Sequence, residues 1–255
     1  MGRGLAVSLG LIRRNLLLVR RMPSVFIPAM VMPLFILIAT AGAFHGIGAL
    51  PAFAGASYLA FTLPMAATMG GGFAGVNSGM TLARDLEYGF FSRLQASPAP
   101  RISLIAGPIG AAMVRSLFTS TVVFIAATAA GAPWPGLGNA LIVYLLAMGF
   151  AACAACWATG VALRTKSVQA APLMQVVVFI SVFCSVAYTP RDALTGWLRH
   201  VADYNPVTRV LEASRAAELV GISWSKLWPG LVSLGVLLAV LLVFSLSGFR
   251  KLTTE

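Results

Sequence analysis

The chain reads as an all-α, polytopic membrane protein with six transmembrane helices, and three observations carry that reading. Of its 255 residues, 59% are hydrophobic and only 10% charged, with a mean hydropathy of +0.89; a soluble domain carries about a quarter charged residues. Apolar runs of spanning length recur along the sequence with short polar stretches between them. Lysine and arginine, 18 against 7 acids for a formal net charge of +11, gather in alternate gaps between those runs, as at one membrane face. In a soluble protein such an excess would suggest nucleic acid, but the aromatic–basic interleaving of a single-strand binder is missing.

Residues 1–22 carry Arg3, Arg13, Arg14, Arg20 and Arg21 beside a helical stripe of Leu5, Leu9, Ile12 and Leu16. That pattern predicts an amphipathic helix lying on the membrane, with its arginines toward anionic headgroups. The stripe argues against an unstructured basic tail. The first span, Val25 to Phe44, is uncharged and about 30 Å long as a helix. Pro28 and Pro33 are tolerable near its start. It begins after Arg21 and exceeds a signal h-region, so it is expected to be a retained anchor. His45 follows in a Gly-rich loop and has no partner ligand nearby in sequence.

The second span lies within Ala56 to Leu82. Gly71, Gly75 and Gly79 repeat every fourth residue, extended by Ala67. This small-residue face lets another helix approach closely; the Gly70–Gly72 triplet could also loosen the helix or line a cavity.

Next comes the polar stretch Arg84 to Arg101. Leu82, Leu86, Phe90 and Leu94 form one apolar stripe on a helix. Asp85 and Glu87 fall in its first turns and Arg93 near its end, the order the helix dipole favours. Pro98 and Pro100 end it. From the residues alone, two readings stand: a helix lying in the lipid interface, or one that docks a soluble partner. There Glu87 would cap backbone donors or meet a basic group of the partner.

The third span, Ile102 to Gly131, contains Arg115, the one charge within any span. Such a charge faces the bundle or water, or snorkels to the interface about four turns away. Gly131 to Gly136 is a tight turn with Trp134 at the interface. Leu137 to Leu163 is the fourth span, with Cys153 and Cys156 read as small buried apolar residues. Arg164 and Lys166 make a short basic loop. The fifth span, Val168 to Tyr188, places Gln169, Pro172 and Gln175 in its first half. Those glutamines are candidates for interhelical hydrogen bonds or a polar pathway wall, as is Arg115.

Residues 189–229 are polar and of mixed charge, with Trp197, Tyr204, Trp224 and Trp228 suited to a membrane interface. Asn205-Pro206 is a helix start, and the helix after it sets Glu212 and Arg215 three apart. Leu231 to Ser247 is the sixth span, closed by Phe249-Arg250-Lys251.

Counting Lys and Arg gives the topology. The first 22 residues, the Arg84–Arg101 stretch, the Arg164–Lys166 loop and the tail are basic; the gaps after spans one and three carry no Lys or Arg. Both termini are therefore expected in the cytoplasm. In the last outer loop Arg191, Arg199, Arg209, Arg215 and Lys226 are offset by Asp192, Asp203, Glu212 and Glu218.

Missing chemistry narrows the function. No span holds Asp or Glu, against a proton- or sodium-driven carrier. No filter-like sequence or intramembrane charge ring suggests a selective channel. Paired metal-binding histidines and a nucleophile–base pair are missing. Lys166, Lys226 and Lys251 are not preceded by Gly, so there is no phosphate-binding loop.

The pattern Glu87, Gly89, Leu94, Ser97, Pro98, Arg101 resembles the cytoplasmic loop of type-2 ABC-transporter permeases, especially the daunorubicin-resistance-like drug and lipid exporters. Met32-Pro33-Leu34-Phe35 resembles the proline opening that family's first span. Asn205, Pro206, Glu212 and Arg215 resemble the element before its last span. The resemblance implies a single transmembrane domain over residues 1–255. In it, residues 84–101 are a coupling-helix loop and 189–229 form re-entrant outer helices. Arg84, Asp85, Glu87, Gly89, Phe90, Arg93, Leu94, Pro98 and Arg101 would then face an ATPase pair holding Mg-ATP. A second permease subunit, identical or not, would complete the pathway across the plasma membrane. The chain itself would be no enzyme and need no cofactor. Its apolar spans suit a hydrophobic or amphipathic cargo, such as a drug, a lipid or a lipid-linked product. Polysaccharide export, an ATP-independent carrier and a non-transporting scaffold are the alternatives.

Overall fold

The computed structural model describes residues 9–10, 12–15, 17, 23–44, 46, 53, 57–89 and 101–252. Among them there is helix and turn but no strand. The main elements are α1 (Pro23–Ala43), α2 (Tyr58–Glu87), α3 (Arg101–Ala129), α4 (Leu137–Thr165), α5 (Ala171–Phe183), α6 (Gly196–Tyr204), α7 (Pro206–Leu219) and α8 (Trp224–Leu252). Short 3-10 turns, Val168–Ala170 and Arg191–Ala193, precede α5 and α6.

α2 is the central helix, buried from Ala60 to Gly79, and packs on α1, α3, α4, α5 and α7. Ser57 caps it, accepting from the Ala60 amide at 3.2 Å. Its 30 residues, with Pro64 accommodated near the start, run about 45 Å, longer than the expected span, because nothing ends the helix at the polar residues Arg84 and Asp85 before Gly89. Gly89, at φ +69°, is the first residue that leaves the helical region without penalty. Arg84, Asp85 and Glu87 are thus the last turns of the second span's helix. They do not begin a separate helix, which corrects the dipole argument made from their order.

α2 and α4 meet through small residues. A Cβ on Gly71 would lie 2.5 Å from the Ala147 carbonyl oxygen, and one on Gly75 2.6 Å from those of Ala151 and from the Ala154 Cβ. One on Gly79 would sit 2.6 Å from the Ala158 carbonyl carbon. The Gly70–Gly72 triplet is unbroken α-helix. Cys153 and Cys156 are buried in α4 as free thiols. α8 packs on α4 and α7, with a hydrogen bond of 3.0 Å between the Thr159 and Ser245 hydroxyls.

Among the described residues, four helices are long and apolar enough to cross a membrane: Tyr58–Glu87, Ile105–Ala129, Leu137–Thr165 and Trp224–Phe249. Met30–Ala43 and Val168–Phe183 are shorter apolar helices. The fifth run differs from expectation: α5 keeps only 13 α-helical residues, about 20 Å against a core of about 30 Å. The last helix gains instead, beginning at Trp224 rather than Leu231.

Arg84, Arg164 and the close of α8 share one end of the bundle, called here the basic end. Tyr58, α6 and α7 occupy the far end.

Candidate functional site

At the basic end, two ties converge on the last turn of α2. Arg14, in the helical stretch before α1, donates from both terminal nitrogens to the Asp85 carboxylate, each at 2.6 Å. This bidentate fork is the strong geometry for the pair. The Asp85 hydrogen bond raises the Arg14 pKa, against the lowering effect of burial. Two residues on, Glu87 Oε1 accepts from the Ser167 hydroxyl and the Val168 amide, each at 2.8 Å. Glu87 thus caps one backbone donor, the Val168 amide of the turn before α5, and none of its own helix. Arg84 is half-buried, while Tyr88 is 81% exposed at the helix end. Arg101 opens α3. Phe90, Arg93, Leu94 and Pro98 lie outside the described residues.

Lys166 stands where α4 passes into the connection to α5. It closes α4 in the left-handed region at φ 53°, with its amide on the Ala162 carbonyl at 2.8 Å. Arg164 fastens α4 to α8 by donating to the Phe244 carbonyl at 2.9 Å and the Ser247 hydroxyl at 2.7 Å.

In mid-bundle, Arg115 is buried between α3 and α2. Its Nε donates to the Ala111 carbonyl at 3.2 Å and Nη2 to the Ser78 hydroxyl. Of the two readings of this arginine, the geometry is that of a bundle-facing charge. Gln169 is exposed in the turn before α5, and Gln175 is half-buried on α5. The structure thus divides the three between the α2–α3 interface and the α5 side.

The far end is built from polar side chains. Asn205 donates to the Ser181 and Cys184 carbonyls at 2.7 and 2.9 Å, closing α5. Its Oδ1 accepts from the Val207 amide at 3.0 Å and so starts α7, with Pro206 at the first helical position. Arg215 donates to the Phe61 carbonyl at 3.0 Å and the Ala187 carbonyl at 2.6 Å, with its guanidinium 3.7 Å over the Phe61 ring. Burial pulls Arg215 down to about 9, still cationic at neutral pH. Glu212 pairs with Arg209 at 3.2 Å, and Arg191 with Asp203 at 2.6 Å. Arg191, Glu212, Arg215 and Lys226 line a cleft of about 320 Å³. A second cleft of about 650 Å³ is lined by Val177, Ile180, His200, Tyr204 and Asn205.

Sequence reasoning missed Arg14, Ser78, Tyr88 and Ser167 as partners. Only Tyr88 carried a usable signal, as one of three aromatics, with Phe90 and Phe91, in the otherwise polar Arg84–Arg101 stretch.

No curated protein sequence matches the chain. The ABC-2 type transporter family matches residues 9–219, which takes in every element from the stretch before α1 to the end of α7. Membrane subunits of that family serve transport and work with an ABC ATPase. The chain belongs to the ABC-2 type transporter family, as a permease subunit.

Proposed function

We propose that this permease is the membrane half of an ATP-driven exporter moving a hydrophobic or amphipathic substrate out of the cytoplasm or inner leaflet. The basic end is its cytoplasmic face, with both termini there, in the plasma membrane. α1 to α4, the α5 segment and α8 are its six crossings. α6 and α7 are the re-entrant outer helices that complete the far side where α5 stops. Residues 1–22 lie on the cytoplasmic surface. Two such subunits form the pathway, and two ATPase subunits holding Mg-ATP dock below.

One observation carries the docking reading: α2 delivers Tyr88 almost fully exposed at the basic end, immediately before residues 90–100. An aromatic so placed suits a protein contact. Phe90 and Leu94 would supply its apolar part, Arg84, Arg93 and Arg101 its orientation, and Gly89 and Pro98 its bends. ATP binding would close the ATPase pair and bias the bundle between two states. The cargo class is supported by the exposed apolar face of α5, formed by Leu173, Val176, Val177 and Ile180, beside the far-end cleft. Arg115, Gln169 and Gln175 are the polar candidates along the pathway.

The test is copurification of the chain with its ATPase and ATP-dependent uptake of a fluorescent amphiphile into inverted vesicles. Tyr88→Ala and Leu94→Asp should weaken docking by about tenfold. Full docking and uptake in both variants would refute the contact.

A further inference from the structure

We propose that the last turn of α2 is a divider: Glu87 passes motion of the ATPase-facing stretch into α5, and Asp85 passes it into the N-terminal helix through Arg14. This rests on the permease reading above and adds the route by which a push leaves α2. Asp85 and Glu87 are two residues apart on one helix, so they move as a unit. Their partners are remote in sequence and belong to different elements.

The tie to α5 is built to transmit. Glu87 Oε1 takes both the Ser167 hydroxyl and the Val168 amide. The same Ser167 oxygen accepts from the Gln169 amide at 3.2 Å. Glu87 and Ser167 thus satisfy the first donors of the turn leading into α5, donors that no helix can satisfy internally. A carboxylate at that position is also favoured by the dipole of the segment it caps. On the other side, only Lys166 and Ser167 separate the turn from α4. Slack in the connection therefore cannot absorb a displacement of Glu87. Such a displacement reaches the foot of α5, the helix whose apolar face borders the proposed cargo path.

Glu87 is thereby a positioning residue, and its carboxylate oxygen is what matters. In the full chain in nanodiscs, hydrogen exchange at the Val168 amide should rise about tenfold in Glu87→Ala and remain near wild type in Glu87→Gln, whose amide oxygen still accepts. With the ATPase present, Ser167→Ala should retain docking yet lower transport per ATP hydrolysed severalfold, as should Glu87→Ala, with Glu87→Gln restoring most of the loss. Arg14→Ala should lower the same ratio. Unchanged Val168 exchange in Glu87→Ala, or wild-type coupling in Ser167→Ala, overturns the divider. Failure of the unmodified chain to bind an ATPase or to transport overturns the permease reading instead.

Discussion

Along α2 and α4 the backbones meet through residues with almost no side chain: Gly71 on Ala147, Gly75 on Ala151 and Ala154, Gly79 on Ala158. At the far end, α5 gives out after 13 residues, and long polar side chains close the structure instead. Asn205 covers the last α5 carbonyls, and Arg215 reaches carbonyls of two segments. Both regions answer the same constraint. Lipid offers helices no hydrophobic reason to associate, so contact comes from close packing or from hydrogen bonds. Backbone that stops being helical while buried must likewise find partners within the protein. The contrast teaches where each solution fits. Close approach needs two uninterrupted helices, whereas a helix that ends needs side chains with forked donors.

The largest effect should come from breaking the close approach. Gly75→Leu puts a branched side chain where a Cβ alone would lie 2.6 Å from the Ala151 oxygen. Backbone cannot yield as a side-chain tip can, so the cost should reach about 3 kcal/mol or more. Thermal unfolding in detergent and the yield of folded protein measure it; wild-type values for both would refute the packing role.

Next in size is the forked donor. Arg215→Met keeps much of the length but removes both carbonyl contacts and the stacking on Phe61, for a loss of about 2–3 kcal/mol. Arg215→Lys should recover only part of this, because an ammonium cannot reproduce the planar fork. Full recovery by lysine would mean that charge alone matters here. A smaller loss, about 1 kcal/mol, is expected for Asn205→Asp. Aspartate still accepts from the Val207 amide but can no longer donate to Ser181 and Cys184. Faster amide exchange at the end of α5, with the start of α7 protected, would identify the lost half; equal exchange at both would contradict the double role.

The same contrast explains what could be read from the sequence. The period of four in Gly71, Gly75 and Gly79 announces a helix face, and Asn205-Pro206 announces a helix start, because both signals are local. The end of α2 was misplaced because polarity at Arg84 suggested a boundary, while the helix continues through the polar residues and ends at Gly89, where the backbone turns to positive φ. The shortness of α5 was invisible: Val168 to Tyr188 is uncharged and mostly apolar, and its end is fixed by Asn205, more than twenty residues on. Likewise Arg14 with Asp85, and Arg115 with Ser78, are pairs that only the assembled bundle brings together.

The finest test concerns a buried polar group that is not satisfied. Glu218, the last acid of α7, is only 8% exposed, and its Oε2 has no hydrogen-bond partner among the described residues. One turn earlier, the buried Ser214 hydroxyl also lacks one. Arg215 beside them spends its donors on the carbonyls of Phe61 and Ala187. Burial therefore favours the neutral acid and pushes Glu218 up to about 7 from an ordinary 4.5. Because the folded chain holds this proton more tightly than the unfolded one, the stabilisation is full below about 4.5. It is lost as pH rises through about 7. Between pH 6.5 and 7.5 the change should be under about 1 kcal/mol, the smallest of these effects. Melting temperature in detergent should fall across that interval in the wild type. Glu218→Gln, permanently neutral, should remove that part of the slope. Parallel slopes with and without Glu218 would show that the carboxyl finds a partner after all.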